Sequence, residues 1–98
     1  MINKYETIFV INTDLGEEGV KGLVEKFKNL IQTSAQLDTI DEWGKRRLAY
    51  PIKFKNEGYY VLATFTADSK FPSELERIYK ITEGILKYIV IKKEAVTK

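Results

Sequence analysis

From Tyr5 to Ile11 the chain alternates with period two. Tyr5, Thr7, Phe9 and Ile11 fall on one face of a predicted strand, and Glu6, Ile8 and Val10 on the other. The second face is itself mostly apolar, so an interior strand or a face that meets a partner is expected. The period then lengthens to that of a helix through Val20, Leu23, Val24, Phe27, Leu30 and Ile31. Asp14 is the expected N-cap, with Glu17 three residues on as a capping-box-like pair. Gly19 and Gly22 weaken the first turns by about 1 kcal/mol each relative to Ala, but the later stripe is strong enough to keep the helix. Gln36–Trp43 alternates imperfectly and is crowded by Asp38, Asp41 and Glu42, as an edge strand would be. Gly44 permits a bulge, and Arg47–Ile52 can continue the strand. Pro51 has no backbone N–H to donate and again argues for an edge. Lys53–Gly58 is expected to be a flexible hairpin connection.

Tyr59–Ala67 alternates most cleanly, with Tyr59, Val61, Ala63, Phe65 and Ala67 on one face and Tyr60, Leu62, Thr64 and Thr66 on the other. Pro72 suits the first position of a second helix, whose apolar stripe is Leu75, Ile78 and Tyr79, and Gly84 fits just beyond its end. Ile85–Ile91 is the last strand. Its pattern leaves open whether Ile89 and Ile91 or Tyr88 and Val90 face the core. A short polar tail is expected from about residue 93. The order strand, helix, strand, strand, helix, strand predicts one α+β domain over residues 1–98. Its simplest arrangement is ferredoxin-like, a four-stranded antiparallel sheet with two helices on one face. The expected core is Phe9, Ile11, Leu23, Phe27, Leu30, Val61, Phe65, Leu75 and Ile78. Ile8, Val10, Tyr60 and Leu62 are left on the opposite face, apolar enough to suggest a protein partner or stacked bases.

Composition narrows the chemistry. The 98 residues contain no Cys and no His, which removes disulfides, thiolate nucleophiles, sulfur-ligated metals and the usual neutral-pH proton shuttle. No signal peptide is visible, because Met1–Glu6 runs straight into the first strand, and no apolar run approaches a membrane span. A cytosolic location is the default. Asp41 and Glu42 are adjacent and point apart on a strand, Glu17 and Glu18 suit first-turn electrostatics, and there is no phosphate-binding glycine loop. An enzyme, a cofactor, a metal and a small-molecule substrate are therefore not expected.

Net charge is only +2, but its placement is informative. No acid occurs from Trp43 through Asn56, where Lys45, Arg46, Arg47, Lys53 and Lys55 stand together. Phosphate backbones attract such a cluster through counterion release, whereas a charged rim that only guards an edge strand would look similar. Ile8–Asn12 and Glu57–Val61 also loosely resemble the signatures of the RNA-recognition motif, which shares the topology. There the leading basic position is Glu57, and Val61 replaces a stacking aromatic.

Taken whole, the chain resembles the bacterial small-subunit ribosomal protein six family. The likeness lies in Lys4-Tyr5-Glu6, in Gly44 with Arg46-Arg47-Leu48-Ala49-Tyr50-Pro51-Ile52, in Gly58-Tyr59 and in Val90-Ile91-Lys92. The resemblance implies a non-enzymatic ribosomal protein of the small subunit. It would bind the central domain of the small-subunit ribosomal RNA cooperatively with small-subunit ribosomal protein eighteen. It further implies that Lys4, Arg46, Arg47, Lys87 and Lys92 lie near RNA or the partner, and that Tyr50 and Pro51 shape the presenting segment. Asp41 on the acidic strand and the apolar residues Ile8, Val10, Tyr60 and Leu62 are the candidate surfaces for the protein partner. The alternatives are a small ligand-sensing or oligomer-forming ferredoxin-like module and an autonomous domain of the RNA-recognition-motif kind.

Overall fold

The computed structural model describes residues 2–52 and 55–96. Four strands and two α-helices follow in the order β1 (Ile2–Ile11), α1 (Gly16–Ser34), β2 (Gln36–Ile52), β3 (Lys55–Asp68), α2 (Phe71–Ile81) and β4 (Ile85–Val96), with a 3-10 turn over Thr13–Leu15. The strands form one antiparallel sheet in the order β2-β3-β1-β4. The ferredoxin-like expectation holds, and β2 is the expected edge.

β1 lies between β3 and β4, and its alternation sorts residues onto the two faces of the sheet. Tyr5, Thr7, Phe9 and Ile11 are all buried on the helix-covered face. There they meet Val61, Ala63 and Phe65 of β3, Val24, Phe27 and Ile31 of α1, and Leu75 and Tyr79 of α2. Tyr79 is the hub of this core, with ring centroids 4.5 Å from Phe27, 5.3 Å from Phe9 and 5.2 Å from Tyr88. Six of the expected core residues are fully enclosed: Phe9, Ile11, Phe27, Val61, Phe65 and Leu75. Leu23, Leu30 and Ile78 are half-buried against them. Tyr88 and Val90 also pack on this core, which settles the phase of β4 and leaves Ile89 and Ile91 exposed on the reverse face.

Several local expectations are corrected. Asn12, not Asp14, supplies the cap: its side chain accepts from the Asp14 N–H at 3.0 Å and closes the 3-10 turn, while α1 has no side-chain cap of its own. An Asx turn competes successfully with the capping box here because the chain leaves β1 extended at Asn12. β3 begins at Lys55, so Lys55–Gly58 is ladder rather than loop, and β4 continues to Val96, past the residue where a tail was expected. The rest of the expected connection, Lys53 and Phe54, lies outside the described residues.

β2 and the start of β3 extend beyond the end of β1 as a two-stranded arm, and the molecule is 44 Å long against 25 and 22 Å across. Gly44 sits at a break in the β2–β3 register with φ +85°, a conformation that a Cβ would strain.

Candidate functional site

The arm brings together residues that lie far apart in the chain. From Gln36 to Ile52 only Leu48 is buried, and it packs on Val10 of β1 and Leu86 of β4, with Ile52 and Tyr60 at the margin. Val10 and Leu86 lie on the reverse face, so the arm curls over that face rather than projecting into solvent. Gly58 makes the approach possible: a Cβ there would stand 2.3 Å from the Val10 Cγ1. Two residues beyond Leu48, the Tyr50 hydroxyl accepts a hydrogen bond from Lys87 Nζ at 3.3 Å. The ammonium lies 5.5 Å from the ring centroid, nearer the hydroxyl than the π-face, so the contact is a hydrogen bond rather than a cation–π pair.

Five basic residues were expected near RNA, and they divide between the faces. Arg46 lies opposite Gly58 on the reverse face, with its guanidinium carbon 5.5 Å from the centre of the Trp43 ring, which stacks offset on Tyr60. Lys87 lies opposite Val10 on the same face. Lys4 shares that face at the far end of β1, opposite Thr66. Arg47 alternates away from Arg46 and lies opposite Glu57, and Lys92 lies opposite the buried Tyr5, which places it on the helix side.

The charge block also changes character. Lys45 pairs with Glu57 at 3.3 Å and Lys55 with Asp14, so two of its five cations meet acids brought in by the fold. Lys53 lies outside the described residues. Arg46, Arg47, Lys87 and Lys92 form no ion pair among the described residues.

Of the residues expected to meet a protein partner, Asp41 is exposed opposite Leu62, Tyr50 is exposed on the arm, and Ile8, Tyr60 and Leu62 are half-buried. Val10 is 2% exposed, because Leu48 and Leu86 roof it. It offers no area to a partner, and its part is to seat the arm. The sequence reading missed Ile89 and Ile91, 42% and 47% exposed, which extend the apolar reverse face onto β4. It also missed Leu48 and Leu86. Only the contact between two segments 38 positions apart reveals them, and no local period carries that signal.

On the helix side a cleft of about 550 Å³ opens between the start of α1 and the strands, lined by Glu17, Glu18, Lys21, Glu42, Lys45 and Tyr59 among others. The Tyr59 hydroxyl donates to Glu42 at 2.8 Å, and this bond, with some burial and the carboxylate charge, raises the phenol above its ordinary pKa. The phenol is thus held protonated and is not an activated nucleophile. No cluster of metal-binding side chains is present among the described residues, and no helix among them is long and apolar enough to cross a membrane.

Fold and surface together define a ferredoxin-like domain that presents, beside an apolar sheet face, cations with no ion pair among the described residues. The chain is 53% identical over 92 residues to the small ribosomal subunit protein bS6 of Thermoanaerobacter pseudethanolicus, covering 93% of this chain and 97% of that one. It is 51% identical over 94 residues to the bS6 of Clostridium perfringens, covering 95% and 99%. The crystal structure of 30S ribosomal protein S6 from Thermotoga maritima superposes with a TM-score of 0.89 at 32% identity, over 95% of this chain and 89% of that one. The Ribosomal protein S6 family matches residues 4–92, and the chain belongs to it. It is accordingly a structural protein of the small ribosomal subunit and not an enzyme.

Proposed function

We propose that this chain binds the central domain of the small-subunit ribosomal RNA cooperatively with small-subunit ribosomal protein eighteen. The observation that carries this reading is the placement of Arg46 and Lys87 on one face of the sheet, neither of them in an ion pair among the described residues. Unpaired cations set register on phosphates without reading bases. Lys4 extends the same face, whereas Arg47 and Lys92 would reach RNA or protein only around the edges of the sheet. With a net charge of +2 the chain alone is a poor polyanion binder, and a basic partner would pool charge with it.

The partner surface we assign is the apolar strip of Ile8, Leu62 and Tyr60, extended by Ile89 and Ile91, with Asp41 orienting a basic partner and Tyr50 at the arm end. RNA affinity should be weak for the chain alone and rise sharply once the pair forms. The test is a salt series of RNA affinities with and without protein eighteen. Arg46→Ala with Arg47→Ala should weaken binding and reduce the slope of log affinity against log salt by about 0.7–0.9 per lost phosphate contact. Tight binding by this chain alone, unchanged by the partner, would favour an autonomous RNA-binding domain. An unchanged slope in the double variant would remove these two residues from the interface.

A further inference from the structure

We infer that docking of the β2–β3 arm on the sheet sets the geometry of the Arg46–Lys87 pair, and that Leu48 is the positioning residue that holds it. The inference rests on the RNA-binding reading above and adds a residue that touches no RNA. Arg46 rides on the arm and Lys87 on β4, and no continuous ladder joins β2 to β4, because β3 and β1 lie between them. Two contacts tie these segments together. Leu48 packs on Val10 and Leu86, and Tyr50 accepts from Lys87. Residues 48 and 50 share one side of the arm, and they meet the adjacent residues 86 and 87 of β4. The apolar contact therefore seats the polar one.

Around Leu48 the neighbouring arm residues Arg46, Arg47, Ala49 and Tyr50 are all exposed, so a single side chain carries most of the apolar docking. Gly44, with φ +85°, lies at the base where the ladder breaks and gives the arm a point about which to lift. A chain with the arm lifted separates Arg46 from Lys87. Apparent affinity then falls in proportion to the docked fraction. The bound complex still forms with the arm docked, so the number of phosphates neutralised is unchanged.

This separates a positioning residue from a contact residue. Leu48→Ala should lose the nuclear Overhauser contacts between the Tyr50 ring and the Lys87 side chain while keeping those among Phe9, Phe27 and Tyr79. Its affinity for the central-domain RNA, measured with protein eighteen, should fall at least tenfold with the salt slope unchanged. Arg46→Ala should instead lower the slope. Leu48→Met should retain both the contacts and the affinity. Gly58→Ala removes nothing from the arm but places a methyl against Val10, and it should reproduce the Leu48→Ala result. It also serves as the test should Leu48→Ala fail to fold. Retention of the Tyr50–Lys87 contacts in Leu48→Ala and Gly58→Ala would overturn the docking role. So would lost contacts with affinity within twofold of the parent, or a slope reduced as in Arg46→Ala. Failure of the parent chain to bind the RNA at any salt would overturn the proposed function and the affinity claim with it. The Overhauser contacts would still decide whether Leu48 seats the arm.

Discussion

The two faces of the sheet are built from the same alternating strands and are closed in different ways. Over one face α1 and α2 lay down Phe27, Ile31, Leu75 and Tyr79 in a continuous aromatic and aliphatic core. Over the other only Leu48 closes a corner, against Val10 and Leu86, and Ile89 and Ile91 remain in water. Each helix follows the strand it covers after a short connection, so closing the first face costs little loop entropy. The second face is closed by a segment that must fold back on the sheet. Burial on the helix side is thus a property of the whole fold, whereas on the reverse side it is a local equilibrium with its own smaller free energy. If the reverse face is the binding face, as proposed above, that division lets it adjust without loosening the core.

The largest expected effect lies on the helix side. Phe65 is fully buried, stacks on Tyr5 at 5.5 Å and meets the edge of Phe71 at 5.5 Å. Phe65→Ala should cost about 3–5 kcal/mol, much of the stability of a domain this small, about 5–15 kcal/mol. Urea denaturation would show it as a large drop in midpoint. A midpoint near that of the parent would mean that the helix-covered face is not the structural core.

A smaller loss is expected where the arm closes the reverse face. Leu48→Ala should cost about 2 kcal/mol, at the low end for a buried leucine, because the arm can lift and rehydrate instead of keeping a cavity. Denaturation of the two variants side by side sharpens the contrast. A loss for Leu48→Ala as large as that for Phe65→Ala would mean that the two clusters act as a single core.

The same contrast explains what was legible in the sequence. Periods of 2 and 3.6 along β1, β3, α1 and α2 name the helix-side core, because every contact there joins elements whose own patterns point inward. Three features resisted. β4 carries apolar residues in both phases, and only packing on Tyr79 selects Tyr88 over Ile89. Leu48 stands in a segment that reads as a charged edge, so its burial depends on a fold-back that no window of residues contains. The cations of the block look equivalent in sequence, yet Glu57 and Asp14 neutralise Lys45 and Lys55, whereas Arg46 and Arg47 form no ion pair among the described residues. The basic block was therefore legible as a region, and which of its members the fold pairs with acids was not.

The smallest effect tests how tightly the helix side is sealed, through the buried Thr7–Tyr79 pair. Thr7 has a single hydroxyl proton, and it goes to the Ile89 carbonyl at 2.9 Å, so the Tyr79 hydroxyl must donate to Thr7 at 3.0 Å. Tyr79→Phe removes this bond and should cost about 1 kcal/mol at neutral pH. Burial pushes the Tyr79 phenol well above its ordinary pKa. In the unfolded chain the same phenol ionises near its ordinary value, about 10. The folded-state pKa is the higher one, so this contribution to stability is fully present below about pH 10 and is lost as pH rises from there toward the folded value. The phenylalanine variant has no such loss. Other alkaline titrations are common to both chains and cancel in their difference. Denaturation midpoints followed from pH 7 to 11 should therefore show the variant less stable at neutral pH and the gap narrowing or reversing above pH 10. Curves that stay parallel throughout would mean that water reaches Tyr79, and that the helix-covered face is no better sealed than the face beneath the arm.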